Sequence, residues 1–141
     1  MFRHILVAFD GSVSARRALD MALSMAQSSR AKLSLVSVEE HLPYFAADIG
    51  EVREEKEQQN HYFAQIQREA REAAKLRGMD FHRADILTGH VAQSILNHAR
   101  AIACDMIVIG HSGRSGVWAN FLGSTADKVM RHAHCSVLVV R

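Results

Sequence analysis

Five short apolar runs punctuate this chain: Ile5–Phe9, Leu33–Val38, Phe81–Leu87, Met106–Ile109 and Val137–Val140. Between them, apolar residues recur every three or four positions, the period of an amphipathic helix. The run Ile5-Leu6-Val7-Ala8-Phe9 has no polar face at all. A strand of that kind must be covered on both sides, which is the signature of a parallel sheet. Strand and helix therefore alternate as βα-βα-βα-βα-β. That order predicts an α/β fold, a five-stranded parallel sheet with helices on both faces.

The helical segments are specific enough to assign faces. Ala15, Ala18, Leu19, Ala22, Leu23 and Ala26 form one stripe behind a capping Ser12 or Ser14, and Ser28-Ser29-Arg30 ends it. A loop, His41 to Gly50, holds the only proline, Pro43. A long charged helix is expected from about Val52 to Arg77, its face drawn by Phe63, Ile66, Ala70, Ala73 and Leu76, with Gly78 as the stop. The third apolar run is the least apolar and suits a sheet edge. After Gly89, Val91, Ile95, Ala99 and Ile102 share a face. The last helix, about Ser124 to Ala133, turns Ala126, Val129 and Met130 inward.

Composition bounds the function classes. The 141 residues make one domain, 1–141, large enough for a real core, and 48% hydrophobic with 23% charged residues describes a globular protein. A net charge of +2 with no Lys/Arg cluster argues against nucleic-acid binding. The apolar runs are too short for membrane insertion. The first residues, Met1-Phe2-Arg3-His4, run into a strand with no leader, so a cytoplasmic location is expected. Two cysteines, Cys104 and Cys135, fit a reduced compartment as small apolar residues.

Chemistry concentrates in Gly110-His111-Ser112-Gly113 and the residues up to Gly123-Ser124-Thr125. A glycine-rich loop between a strand and a helix leaves its backbone N–H groups unshielded. The helix start then offers free N–H groups and the positive end of its dipole. A phosphate-bearing small ligand, a nucleotide, suits such a loop better than glycines that serve only tight turns. Asp10-Gly11-Ser12 ends the first strand. A strand order of 3-2-1-4-5 would make the first and fourth strands neighbours and bring Asp10 and the loop to one crevice, where strand order reverses. Asp10 then either caps the turn into the first helix or holds a metal against phosphate, and the two roles are compatible.

These residues resemble the universal stress proteins. The spacing Gly110-x-x-Gly113, nine residues, then Gly123-Ser124 is similar to that family's ATP-binding signature. Ile5-Leu6-Val7-Ala8-Phe9-Asp10-Gly11-Ser12 resembles its first strand and acidic turn, and His132 to Val140 its last helix end and strand. The resemblance runs from Arg3 to Arg141. It implies the 3-2-1-4-5 sheet, a Rossmann-like fold of the adenine nucleotide alpha hydrolase kind. It implies a homodimer through the last strand, Val137 to Val140, and binding of ATP with a divalent ion such as Mg²⁺. Carried over, Asp10 lies near the phosphates or their metal. Ala8 and Val38 lie near the adenine. Gly110, His111, Ser112 and Gly113 hold ribose and phosphates, and Gly123, Ser124 and Thr125 the phosphate tail. The chain departs from the pattern at His134 or Ser136, and at Gly89-His90-Val91, where the family often has proline. That bears on local loop shape and the dimer edge.

Three functions follow from this reading. The first is a nucleotide-dependent stress-response regulator with an unidentified protein partner. The second is a slow ATPase or phosphotransferase at the same site, with Arg114 as cation. It lacks a residue to orient water, and the Walker pattern is absent. The third is a nucleotide-free interaction module. Elsewhere, His132, His134 and Cys135 form the densest cluster of metal-ligand types, but alternate residues at a turn diverge, and a solvated turn explains them better. Trp118 and Phe121 are expected to pack under the glycine loop.

Overall fold

In the computed structural model, residues 1–40, 49–113 and 121–141 are described. The described residues form nine elements: β1 (His4–Ala8), α1 (Val13–Ser29), β2 (Lys32–Glu39), α2 (Ile49–Leu76), β3 (Arg83–Thr88), α3 (Val91–Ala101), β4 (Met106–Gly110), α4 (Ser124–His132) and β5 (Ser136–Val140). The sheet runs β3-β2-β1-β4-β5, and all four strand pairings are parallel.

The apolar β1 run is explained by what covers it. Ile5, Val7 and Phe9 point to one face and pack with α1 and with Phe63, Ile66 and Ala70 of α2. Leu6 and Ala8 point to the other face, against Ile95 and Ala99 of α3 and Ala126 and Val129 of α4. Alternation of side chains along a strand thus feeds two cores at once. β3 is an edge strand, as its weaker apolar character predicts.

Helix ends follow their local chemistry. Ser12, not Ser14, caps α1, its side chain accepting from the Ala15 N–H at 3.1 Å. Arg30 closes the helix in the left-handed region, at φ 56°. Gly78 at φ 69° ends α2, and Met79 N–H reaches back to the Ala74 carbonyl at 2.9 Å. No helix among the described residues is long and apolar enough to cross a membrane.

Several sequence expectations need correction. α2 begins at Ile49, so Ile49 and Gly50 belong to the helix and not to the preceding loop. Its buried face drifts to Ala74, leaving Ala73 partly buried and Leu76 89% exposed. Leu76 lies in the last turn, beyond the reach of the sheet. Met130 is half-exposed at 49%, because Ala126 and Val129 already fill the inner face of a short helix. Phe121 is 63% exposed and does not pack down. Cys104 is buried as expected, whereas Cys135 is only partly so. Pro43, Arg114 and Trp118 lie outside the described residues.

Candidate functional site

β1 and β4 are neighbours, with Ile5 opposite Met106 and Val7 opposite Val108. From their carboxyl ends the chain leaves toward opposite faces, β1 into α1 and β4 toward α4. A crevice opens at that point, enclosing about 710 Å³ counted to its open mouth. All ten residues singled out from the sequence line it: Ala8, Asp10, Val38, Gly110 to Gly113, and Gly123 to Thr125. Topology brings them together from four separate segments.

The floor is apolar. Ala8 and Val38 are joined there by Val36, Ile109 and, from α3, Val91 and Ile95. The reading of single motifs missed these four positions. Their signal was present in the strand and helix patterns, which mark faces but not which end of a face meets a crevice.

One wall is the Asp10 turn. Asp10 Oδ1 accepts the Ser12 N–H at 2.9 Å, and Tyr62 Oη donates to the Asp10 carbonyl at 2.6 Å. Gly11, at φ 82°, lets the chain turn under the Tyr62 ring. Behind it, Ser37 Oγ donates to the Phe9 carbonyl at 2.6 Å and accepts from Gln67 Nε2 at 3.2 Å. Gln67 is buried on α2, a polar residue satisfied inside the core. Asp10 therefore holds the turn with one oxygen, while the other faces the glycine loop.

The opposite wall is the loop itself. Gly110 runs so close to α1 that a Cβ there would stand 2.7 Å from the Ser14 backbone carbon. Ser14 Oγ donates to the Ser112 carbonyl at 2.9 Å, and the Ser112 N–H returns a bond to it at 3.2 Å. His111 is buried, its N–H donating to Val140 at 2.7 Å and its carbonyl accepting from Gly123 at 2.8 Å. It ties the loop to β5 and to the start of α4. Gly113 differs from Gly110: among the described residues, a Cβ there would meet only Asp10 Oδ2, at 3.5 Å. Among the described residues nothing else fills the space at Gly113, and its bareness widens the crevice beside Asp10.

The far end is the amino terminus of α4. Gly123 is its N-cap and supplies no side-chain cap. The first N–H groups of the helix, beside the hydroxyls of Ser124 and Thr125, thus border the crevice with the dipole's positive end. No lysine or arginine stands among the described lining residues. An anion here would be met by backbone N–H groups and hydroxyls.

A divalent ion fits this wall only in part. Among the described residues, no three His, Cys, Asp or Glu side chains converge on a metal position. Asp10 Oδ2 offers one carboxylate oxygen, which is how Mg²⁺ is commonly bound when phosphates and water complete its shell. His132 and His134 are exposed, as a solvated turn requires.

The universal stress protein family model matches residues 1–141. A universal stress protein of Thermus aquaticus, from the QAH/OAS sulfhydrylase 3′ region, is 37% identical over 141 residues, covering 100% of each chain. A universal stress protein of Lactobacillus plantarum superposes with a TM-score of 0.85 at 25% identity, covering 99% of this chain and 97% of that one. A universal stress protein solved in complex with cAMP superposes with a TM-score of 0.76 at 26% identity, again covering 99% and 97%.

Proposed function

The chain belongs to the universal stress protein family, and on that premise we propose that its crevice binds an adenine nucleotide, with ATP as the working ligand. One observation carries this reading. An apolar floor, a bare glycine loop, a carboxylate and a helix terminus whose N-cap is Gly123 meet at a single strand-order reversal. A relative of this fold crystallised with cAMP supports the adenine part.

The roles follow from chemistry. The adenine ring lies over Ala8, Val36 and Val38, with the Val38 backbone offering hydrogen bonds to its edge. Gly110, His111, Ser112 and Gly113 receive the ribose and first phosphates. Gly123, Ser124 and Thr125 receive the phosphate tail through N–H and hydroxyl donors. Mg²⁺, carried in with the phosphates, bridges them to Asp10 and cancels the repulsion between like charges. Occupancy stiffens the loop after β4 and changes a surface read by a protein partner. In this reading the protein is a single-domain cytoplasmic regulator, paired as a homodimer through Val137 to Val140 of β5. A strand with one unpaired edge favours such pairing.

The test is direct. The purified protein is denatured and any released nucleotide identified by chromatography, while ATP is titrated by calorimetry with and without Mg²⁺. Near-stoichiometric adenine nucleotide, or ATP binding that Gly113→Val abolishes, supports the reading. A protein that arrives empty and ignores ATP, ADP, AMP and cAMP overturns it, leaving an interaction module. Turnover that Asp10→Asn removes while binding persists would make the site an ATPase.

A further inference from the structure

The crevice continues beyond the start of α4. Val91, Ser124 and Thr125 line it and also line a second groove between α3 and α4, which encloses about 1090 Å³ counted to its open mouth. The second groove carries a lysine, which the first lacks among its described lining residues. Lys128 and His132 stand along α4, and His90 stands across from them at the N-cap of α3. Residues four apart share a helix face, so Ser124, Lys128 and His132 make one row. At 1.5 Å per residue, Lys128 stands about 6 Å and His132 about 12 Å along the axis from Ser124. The neighbouring Arg131 is engaged by Asp127 at 2.9 Å and belongs to another face. One carboxylate, Glu40, lies at the groove wall.

The row matters because of where it starts. It leaves the amino terminus of α4, where Gly123 supplies no side-chain cap and an anion is favoured, and adds a lysine ammonium and then an imidazole N–H donor outward in steps. An apolar ligand has no use for that order. A chain of phosphates does, because every added phosphate brings further negative charge at a regular spacing.

We propose that the α3–α4 groove is a subsite for a polyphosphate chain longer than a triphosphate. Adenosine tetraphosphate and dinucleoside polyphosphates are the ligand class, with Lys128 and His132 as the chain's contacts. The proposal rests on nucleotide binding in the adjoining crevice and names the ligand more narrowly.

AMP, ATP, adenosine 5′-tetraphosphate and diadenosine tetraphosphate are titrated by calorimetry into the full-length protein, Lys128→Ala and His132→Gln. Both side chains are exposed, so the variants are expected to keep the native melting temperature. The unsubstituted protein should bind the tetraphosphates about tenfold more tightly than ATP, one charge-assisted contact's worth. Lys128→Ala should erase that gain and leave AMP unchanged, and His132→Gln should lower diadenosine tetraphosphate affinity more than ATP affinity. Equal affinity for ATP and the tetraphosphates overturns the subsite while nucleotide binding stands. So does a Lys128→Ala loss that is the same for AMP and tetraphosphate, which would be a diffuse charge effect. Failure of all four ligands overturns the crevice reading and the subsite together.

Discussion

Gly110 and Gly113 sit three residues apart in one motif and answer to different demands. A Cβ at Gly110 would press into the α1 backbone at 2.7 Å, so Gly110→Ala should cost about 1–3 kcal/mol, read as a shifted urea midpoint. At Gly113 the same atom, among the described residues, meets only ordinary contact with Asp10 Oδ2. Gly113→Ala should therefore leave the midpoint within about 0.5 kcal/mol and weaken nucleotide affinity instead. The spacing of the motif was plain in the sequence, but which glycine serves the fold was not, because that depends on how near α1 passes. Cysteine reactivity belongs to this scale as well. Burial, reinforced by the neighbouring Cys135, pushes the Cys104 thiol up to about 12. Iodoacetamide at pH 8 should leave Cys104 unlabelled in the folded protein and label it in urea, since only the thiolate reacts.

At the level of elements, the helix ends carry the local information and the helix faces carry the long-range kind. Ser12 caps α1 just where the chain leaves Asp10, so Ser12→Ala should cost about 1 kcal/mol and loosen the turn that presents the carboxylate. Arg30 holds a left-handed conformation that glycine adopts without steric cost. Arg30→Gly should raise stability by about 0.5–1 kcal/mol, measured by the same urea titration. Both caps were legible as short signals, a serine before a helical stripe and a polar break after it. The face of α2 was legible only in part. Phe63, Ile66 and Ala70 were apparent, but the exchange of Ala73 for Ala74 and the exposure of Leu76 follow from where the helix leaves the sheet. Gln67 was missed because a buried polar residue is explained by its partners, Ser37 and the Asp85 carbonyl, which lie on two other elements.

For the molecule as a whole, acid stability follows from groups that the fold keeps in one protonation state. Burial holds His4 below its ordinary 6.5, helped by nearby His82, and its ring pairs with Ser34 Oγ at 2.7 Å. The unfolded chain then takes the proton first. Stability should fall as pH drops through 6.5 toward the lowered value and level off beneath it. Asp85 is held below its ordinary 3.8 chiefly by its hydrogen bond from Arg83. For Asp105, burial pushes upward, but the Arg3 and His4 N–H groups outweigh it and lower the carboxyl. Both carboxylates contribute stability above 3.8 that is lost as pH falls through their lowered values. Urea midpoints at pH 7.5, 5.5 and 3 should show two separate losses, with His4→Gln removing the first. A bound nucleotide should raise the melting temperature in proportion to the logarithm of its concentration, because it binds only the folded chain.

What this sequence determined alone was the set of local choices. Apolar runs without a polar face demanded covering on both sides, helical stripes demanded a core, and glycines after the fourth strand marked an unshielded backbone. These are properties of neighbours along the chain, so periodicity exposes them. The tertiary structure decided which strand ends meet. Nothing local places Asp10 beside Gly113; the parallel pairing of β1 with β4 does. Nothing local aligns Val91 of α3 with Ser124 of α4 on the shared border of two clefts; the packing of those helices over one face of the sheet does. Contacts distant in sequence depend on how several faces are covered at once, and no single segment contains that information.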